Sequence, residues 1–296
     1  MPLDYDRLMS LPPREDRGSY GPRDAILYAL GVGVGAGDAT SPSSLSYTYE
    51  TGLRVLPTMA VVIGYPGFWL MEPQYGLDWK RVLHGEQTVE LHQPLPAAAE
   101  VVSRLKIDAI YDKGAAKGAI LYSTREIVEA GGGAKLATLR STSFLRGDGG
   151  FGGRADGAPK AHVIPDHRAP DLTIDIGTRT DQALLYRLSG DLNPLHIDPA
   201  VARRAGFERP ILHGLCTYGI VGRALLASLC SHEASAFKKF AVRFSSPVFP
   251  GETIRTEIWR ESPGVAAARA RVVERNVRGV DNGVFEYEPV LRPSLG

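Results

Sequence analysis

The chain is poor in cysteine: only Cys216 and Cys230 occur in 296 residues, with no CxxC pair. A disulfide framework is excluded as the organising device. Both thiols fall in an apolar, helix-like run, so buried reduced side chains and a reducing compartment are expected. Charge of one sign is not in excess either. Lys and Arg number 34 against 33 Asp and Glu, for a formal charge of +1. That argues against a nucleic-acid partner and leaves only local basic clusters. No apolar run is long enough to span a bilayer, so no membrane association is expected. The start, Met1-Pro-Leu-Asp-Tyr-Asp-Arg7, has no basic stretch followed by an apolar core, and the end, Arg292-Pro-Ser-Leu-Gly296, is not a peroxisomal Ser-Lys-Leu signal. A cytoplasmic location is the expectation. No GxSxG and no Cys–His nucleophile pattern is present. Gly31-Val-Gly-Val-Gly-Ala36 matches a dinucleotide fingerprint in letters only, because it follows a helix-like run with no βαβ unit around it.

What is present suits a globular protein with an adequate core, 44% apolar and 23% charged. The clearest break is Arg146-Gly-Asp-Gly-Gly-Phe-Gly-Gly-Arg154, whose five glycines mark a linker. It divides the chain into residues 1–148, a linker at 149–160, and residues 161–296. The halves resemble each other. Asp24-Ala-Ile-Leu-Tyr-Ala-Leu-Gly31 matches Asp181-Gln-Ala-Leu-Leu-Tyr-Arg-Leu-Ser-Gly190, and each run reaches a Gly-Asp pair, Gly37-Asp38 and Gly190-Asp191, 153 residues apart. Arg54-Val-Leu-Pro-Thr-Met59 answers Pro210-Ile-Leu-His-Gly-Leu215, and Leu91-His-Gln-Pro-Leu-Pro96 sits opposite Phe244-Ser-Ser-Pro-Val-Phe-Pro250. Four matches in one order predict a duplication.

Each half ends in strand patterns: Glu86–Leu91, Val101–Tyr111, Ala119–Val128 and Lys135–Leu145, then Phe240–Phe244, Thr253–Arg260, Val265–Glu274 and Gly283–Leu291. Short connections between them predict antiparallel sheets and an α+β fold. Asp198-Pro199 reads as an N-cap with proline at N1, and Gly206 as that helix's stop. Gly214–Leu229 is the apolar central helix a curved sheet would wrap. Its counterpart from Thr58 is interrupted by Gly64-Tyr-Pro-Gly67, which predicts a shortened helix and free space in the first half.

The chemistry is concentrated in Tyr186-Arg-Leu-Ser-Gly-Asp-Leu-Asn-Pro-Leu-His196. Asp191, Asn193 and His196 lie within six residues. Across an Asn-Pro turn a carboxylate and an imidazole can converge on one water and shuttle its protons. His213-Gly214 opens the apolar helix, where a backbone N–H is unpaired and sits at the positive end of the dipole, a natural oxyanion donor. Water activation beside an oxyanion donor suits addition of water across a double bond conjugated to a carbonyl. In the first half Asp38 is followed by Ala39-Thr-Ser-Pro-Ser43, so that copy lacks the chemistry. Asp191, His196 and His213 match no known metal-ligand spacing, and neither a metal nor a cofactor is expected.

The motif Tyr186–Pro199, with Gly206-Phe207 and Pro210-Ile-Leu-His-Gly-Leu-Cys-Thr217, resembles the signature of the type 2 enoyl-CoA hydratases, the MaoC-like group. The resemblance extends through Val82-Leu-His-Gly-Glu-Gln87, Pro94-Leu-Pro96, Asp112-Lys-Gly114, the glycine-rich linker and Phe244–Gly251. It covers nearly the whole chain and is similar to the hydratase part of peroxisomal multifunctional enzyme type 2. It implies a double hot-dog fold, usually dimeric, and reversible hydration of trans-2-enoyl-CoA to (3R)-3-hydroxyacyl-CoA in fatty-acid or related acyl-CoA metabolism. Carried over, Asp191 and His196 are the catalytic pair, Asn193 orients them, and the Gly214 N–H receives the thioester oxygen. His84, Gly85, Lys113 and Phe244 match acyl-CoA-binding positions, and the first half accommodates the acyl chain. Two alternatives stand beside this: an acyl-CoA thioesterase of the same fold, and a non-catalytic acyl-CoA-binding module. The second predicts a damaged motif in both halves, whereas only the first is damaged.

Overall fold

The computed structural model describes residues 3–289. The first half contributes β1 (Arg14–Tyr20), β2 (Val82–Leu91), β3 (Ala99–Asp112), β4 (Ala119–Glu129) and β5 (Lys135–Leu145); the second contributes β6 (Leu172–Gly177), β7 (Phe237–Phe244), β8 (Thr253–Ser262), β9 (Val265–Val272) and β10 (Val277–Tyr287). Helices are α1 (Tyr5–Ser10), α2 (Pro22–Gly31), α3 (Pro42–Thr48), α4 (Gln182–Tyr186), α5 (Pro199–Arg204) and α6 (Gly214–Cys230). The strands form one antiparallel sheet in the order β1-β3-β4-β5-β2-β7-β10-β9-β8-β6. Each half repeats the other's order in mirror sequence, and the two meet through equivalent strands, β2 and β7. The seam pairs Glu86 with Arg243 and Glu90 with Lys239, opposite charges facing across it. This is the double hot-dog architecture, with the two expected sheets fused edge to edge into one.

Eight of the strands answer the sequence patterns, with ends moved by a few residues. β10 begins earlier than expected, at Val277, and ends at Tyr287; the Val290–Leu291 end of the expected strand lies outside the described residues, as do Met1, Pro2 and the Arg292–Gly296 tail. Two strands were not expected, β1 and β6, and they form the two outer edges of the sheet. β1 reads Arg-Glu-Asp-Arg-Gly-Ser-Tyr, with no apolar alternation; an edge strand can carry such charge, and it discourages pairing with another chain.

α6 is the core of the second half. Twelve of its seventeen residues are buried, on every face. Both cysteines are among the buried residues and carry free thiols, which burial pushes up in pKa. Gly222 lets the first half approach: a Cβ there would lie 2.4 Å from Thr58 Cγ2. On helix propensity alone Gly222→Ala should gain about 1 kcal/mol. The overlap with a stiff, buried threonine reverses the sign, and we expect a loss of roughly 1–3 kcal/mol in denaturant unfolding. A stabilised variant would mean that the two halves pack less tightly here.

In the first half the matching helix is a five-residue 3-10 segment, Pro57–Val61. Gly64 follows at φ +55, with Ser103 Cβ only 2.9 Å from where its own Cβ would be, so no other residue fits the break. The glycine-rich stretch after β5 has no helix or strand but is pinned. The Asp112 carboxylate accepts N–H bonds from Gly114 (2.8 Å), Gly150 (2.7 Å) and Gly152 (2.8 Å). Those bonds, Gly150's first, hold its carboxyl below the usual range. No helix among the described residues is long and apolar enough to cross a membrane.

Candidate active site

α4 continues as a 3-10 turn, Arg187–Ser189, and Gly190 ends it at φ +118. Tyr186, 1% exposed, anchors the run against the His213 ring at 5.0 Å. Asp191 therefore leaves a fixed backbone. Its Oδ1 accepts the Asn193 N–H at 3.1 Å, and its carbonyl accepts from His213 Nε2 at 3.1 Å. Asn193 is exposed, and its side-chain oxygen accepts the Leu195 N–H at 3.0 Å, capping the turn Pro194–His196. It shapes the loop that carries both neighbours rather than touching the imidazole of His196.

His196 is buried, and its Nδ1 donates to the Ile211 carbonyl at 2.9 Å. That bond fixes the tautomer and leaves Nε2 with a free lone pair. The ring stacks on His213, centroids 3.7 Å apart and planes 28° apart. Burial depresses both imidazoles below their usual range, and in His213 the facing His196 adds to the effect. Donor atoms of Asp191, His196 and His213 lie within 4.8 Å of one another. So close a set invites a metal reading, but lone pairs lie in the ring planes. Two stacked rings cannot both aim at one ion about 2 Å from each nitrogen.

His213 is also the N-cap of α6, so the Gly214 N–H is the first orphan donor of that helix. Gly214 is exposed, and a Cβ on it would lie 3.5 Å from the Phe244 ring. Phe244 in turn meets the His84 ring at 5.0 Å across the β2–β7 seam. His84 Nε2 donates to the Glu86 carbonyl at 3.0 Å. Of the expected acyl-CoA positions, His84 and Phe244 are thus brought to the mouth of α6. Gly85 is not exposed there: it is buried at a bulge in β2, where a Cβ would strike the Phe144 ring at 2.4 Å. Lys113 lies in an open pocket of about 700 Å³ with Lys117, Ile120, Phe144 and Ala155. Its ammonium donates to the Ala155 carbonyl and sits 5.8 Å from the Tyr111 ring. Phe144 belongs to this pocket, underlies Gly85, and has the Arg243 guanidinium 5.7 Å away, so it links the lysine pocket to the seam.

A second pocket, about 240 Å³, is lined by Leu27, Met59, Val62, Ile63, Val101 and Leu188 among others and reaches Ser189 and Gly190, next to Asp191. It occupies the space left by the broken helix. Sequence reasoning missed Lys117, one hairpin turn beyond Lys113 and visible as a second lysine there. It also missed the stacking role of His213, which carries no local signal because its partner comes from another loop.

Comparison with known proteins follows the same division. Residues 19–147 match the family model described as the MFE-2 hydratase 2 N-terminal domain, and residues 164–282 match the MaoC like domain. The chain is 45% identical over 270 residues to 3-hydroxyacyl-thioester dehydratase Y of Mycobacterium tuberculosis, covering 90% of this chain and 92% of that protein. It is 39% identical over 286 residues to the peroxisomal enoyl-CoA hydratase 2 of Arabidopsis thaliana, covering 92% and 91%. Among solved structures, a MaoC-like dehydratase from Phytophthora capsici superposes with a TM-score of 0.84 at 36% identity, covering 97% of this chain and 99% of that one.

Proposed function

The chain belongs to the MaoC-like hydratase 2 family, and from that membership we propose that it catalyses the reversible hydration of trans-2-enoyl-CoA to (3R)-3-hydroxyacyl-CoA. The observation that carries this reading is the meeting of Asp191 and His196 beside the unpaired N–H of Gly214. Water sits between the carboxylate and His196 Nε2. Nε2 takes one proton as the water oxygen adds to C3. The negative charge that moves onto the thioester oxygen is held by the Gly214 N–H. The imidazolium then returns the same proton to C2, so the balance closes with water alone and no cofactor. Asp191 accepts the second O–H of the water and offsets the transient imidazolium. Asn193 is a positioning residue through the turn it caps.

The remaining roles follow from the cavities. Lys113, Lys117 and Arg243 suit the phosphates of CoA as point charges and a guanidinium fork. His84 and Phe244 flank the thioester arm, and Gly85 shapes β2 beneath it. The first half, residues 1–148, holds the acyl chain in the 240 Å³ pocket, and residues 161–296 carry the chemistry. We further propose that the protein acts in the cytoplasm as a homodimer, in fatty-acid or related acyl-CoA metabolism.

Crotonyl-CoA should lose its conjugated-enoyl absorbance on incubation with the protein, and chiral analysis should give the (3R) alcohol; a (3S) product or none would reject the assignment. A thioesterase of the same fold would instead release free thiol from a saturated acyl-CoA, and we expect no release above the uncatalysed rate. The pH profile gives a further check. Hydration needs neutral His196, and burial lowers its pKa. The neutral form therefore persists to lower pH, and the acid limb of kcat/KM should fall below the usual imidazole range of about 6.5. A limb at or above that range would contradict the role given to Nε2.

A further inference from the structure

The broken helix of the first half ends on an unusual cap. The last carbonyls of Pro57–Val61, and that of Ile63 beyond it, have no helix to continue into. One side chain takes them. Arg125 of β4 donates through Nη2 to the Val61 carbonyl at 2.8 Å and the Ala60 carbonyl at 3.3 Å, and through Nη1 to the Ile63 carbonyl. Arg125 is 7% exposed and stands in the inward-facing register of its strand. No carboxylate among the described residues is hydrogen-bonded to it, and the Tyr65 ring lies 6.0 Å from the guanidinium carbon. Burial draws its pKa down to about 10, which leaves it charged at neutral pH. A guanidinium taken out of water needs such bonds to offset its lost hydration. β9, the equivalent strand of the second half, instead presents Ala266, Ala268 and Ala270 to the core, where the helix runs uninterrupted for seventeen residues.

The carbonyls that Arg125 holds belong to the segment whose residues line the second pocket: Met59, Val62, Ile63 and Gly64. We infer that Arg125 is a positioning residue for the acyl chain: by clamping the carbonyls of Ala60, Val61 and Ile63, it keeps this segment out of the space a longer helix would fill and so sets how long a chain the site accepts. The inference rests on the hydratase reading of the pocket. At about 240 Å³ the pocket holds roughly eight water-sized groups of ~30 Å³, comparable to a medium-length acyl tail. A four-carbon substrate does not need it.

The test compares trans-2-decenoyl-CoA with crotonyl-CoA on wild type, Arg125→Met and Arg125→Lys. The methionine removes every donor; the lysine keeps a charge but cannot span three carbonyls, and serves if the first variant does not fold. The ratio of kcat/KM for the long over the short substrate should fall about tenfold or more, mainly through KM, as expected when apolar tail contacts are lost. A ratio unchanged from wild type in a folded variant, with both substrates slowed equally or neither slowed, would overturn the inference and leave the hydratase reading standing. A wild-type protein that hydrates neither substrate would overturn the hydratase reading, and the inference with it.

Discussion

Replacing Asp191 by Asn, or His196 by Gln, should cut kcat for crotonyl-CoA about a hundredfold or more, because each removes one member of an acid/base pair in the transition state. The two substitutions fail in different ways. In Asp191→Asn the amide oxygen can still accept the Asn193 N–H that now binds Oδ1, so the loop keeps its shape. What is lost is the charge that offsets the imidazolium. In His196→Gln the proton carrier itself is gone, while the Ile211 carbonyl can still find a donor in the carboxamide. Both variants should therefore unfold near the wild-type midpoint. The acid limb of the pH profile should survive, at reduced height, in Asp191→Asn and vanish in His196→Gln. The double variant should be little worse than the worse single one, since the pair acts as a unit. Near-normal turnover in either single variant would sink the assignment.

The fold was largely legible because its signals are local. β4 alternates buried and partly exposed residues along nearly its whole length, which is the period-two pattern itself. α6 is apolar all round and starts behind His213-Gly214, so its existence and burial could both be read. The duplication was legible as four short matches, and the mirror order of the sheet shows why they recur in one order. The edge strands were hidden because an edge needs no apolar alternation: β1 pairs with β3 through backbone bonds while its side chains remain charged. Fusion of the two sheets was hidden for another reason. β2 and β7 pair residues 149 to 157 apart in the chain, and no local pattern specifies that partner.

The site divides in the same way. The turn that carries Asp191 and His196 is closed by bonds within one short loop, written in the motif, while the Ile211 carbonyl and the His213 ring that hold them come from the segment leading into α6. The stacking of His213 on His196, and the clamp of Arg125 on the broken helix, depend on groups brought together by the whole fold. Arg125 did leave one trace. It is a charge in the inward phase of an otherwise ordinary strand, where a partner has to be found. Gly85 marks the limit of reading by resemblance. The motif picks out the position but not its setting, buried at a bulge packed on Phe144.

Gly214→Pro should lower kcat by about two to three orders of magnitude, as expected when an oxyanion donor is removed, with little change in stability. Proline is favoured at the first position of a helix, where its missing N–H breaks no intrahelical bond. His213, at φ −57 and ψ 135, already has the extended backbone that a residue before proline requires. The substitution therefore deletes a donor that the protein does not use for itself. Its weakness as a test is the added ring, which also narrows the approach of the thioester. Gly214→Ala separates the two effects. It keeps the N–H, and its Cβ would rest 3.5 Å from the Phe244 ring, an ordinary contact. If the N–H stabilises the enolate oxygen, alanine should retain most of kcat and raise KM at most modestly, while proline loses kcat. If both variants fall together, the glycine serves close approach alone. If proline turns over like wild type, the charge that develops on the thioester oxygen is held elsewhere, and the start of α6 is only a packing feature of the fold.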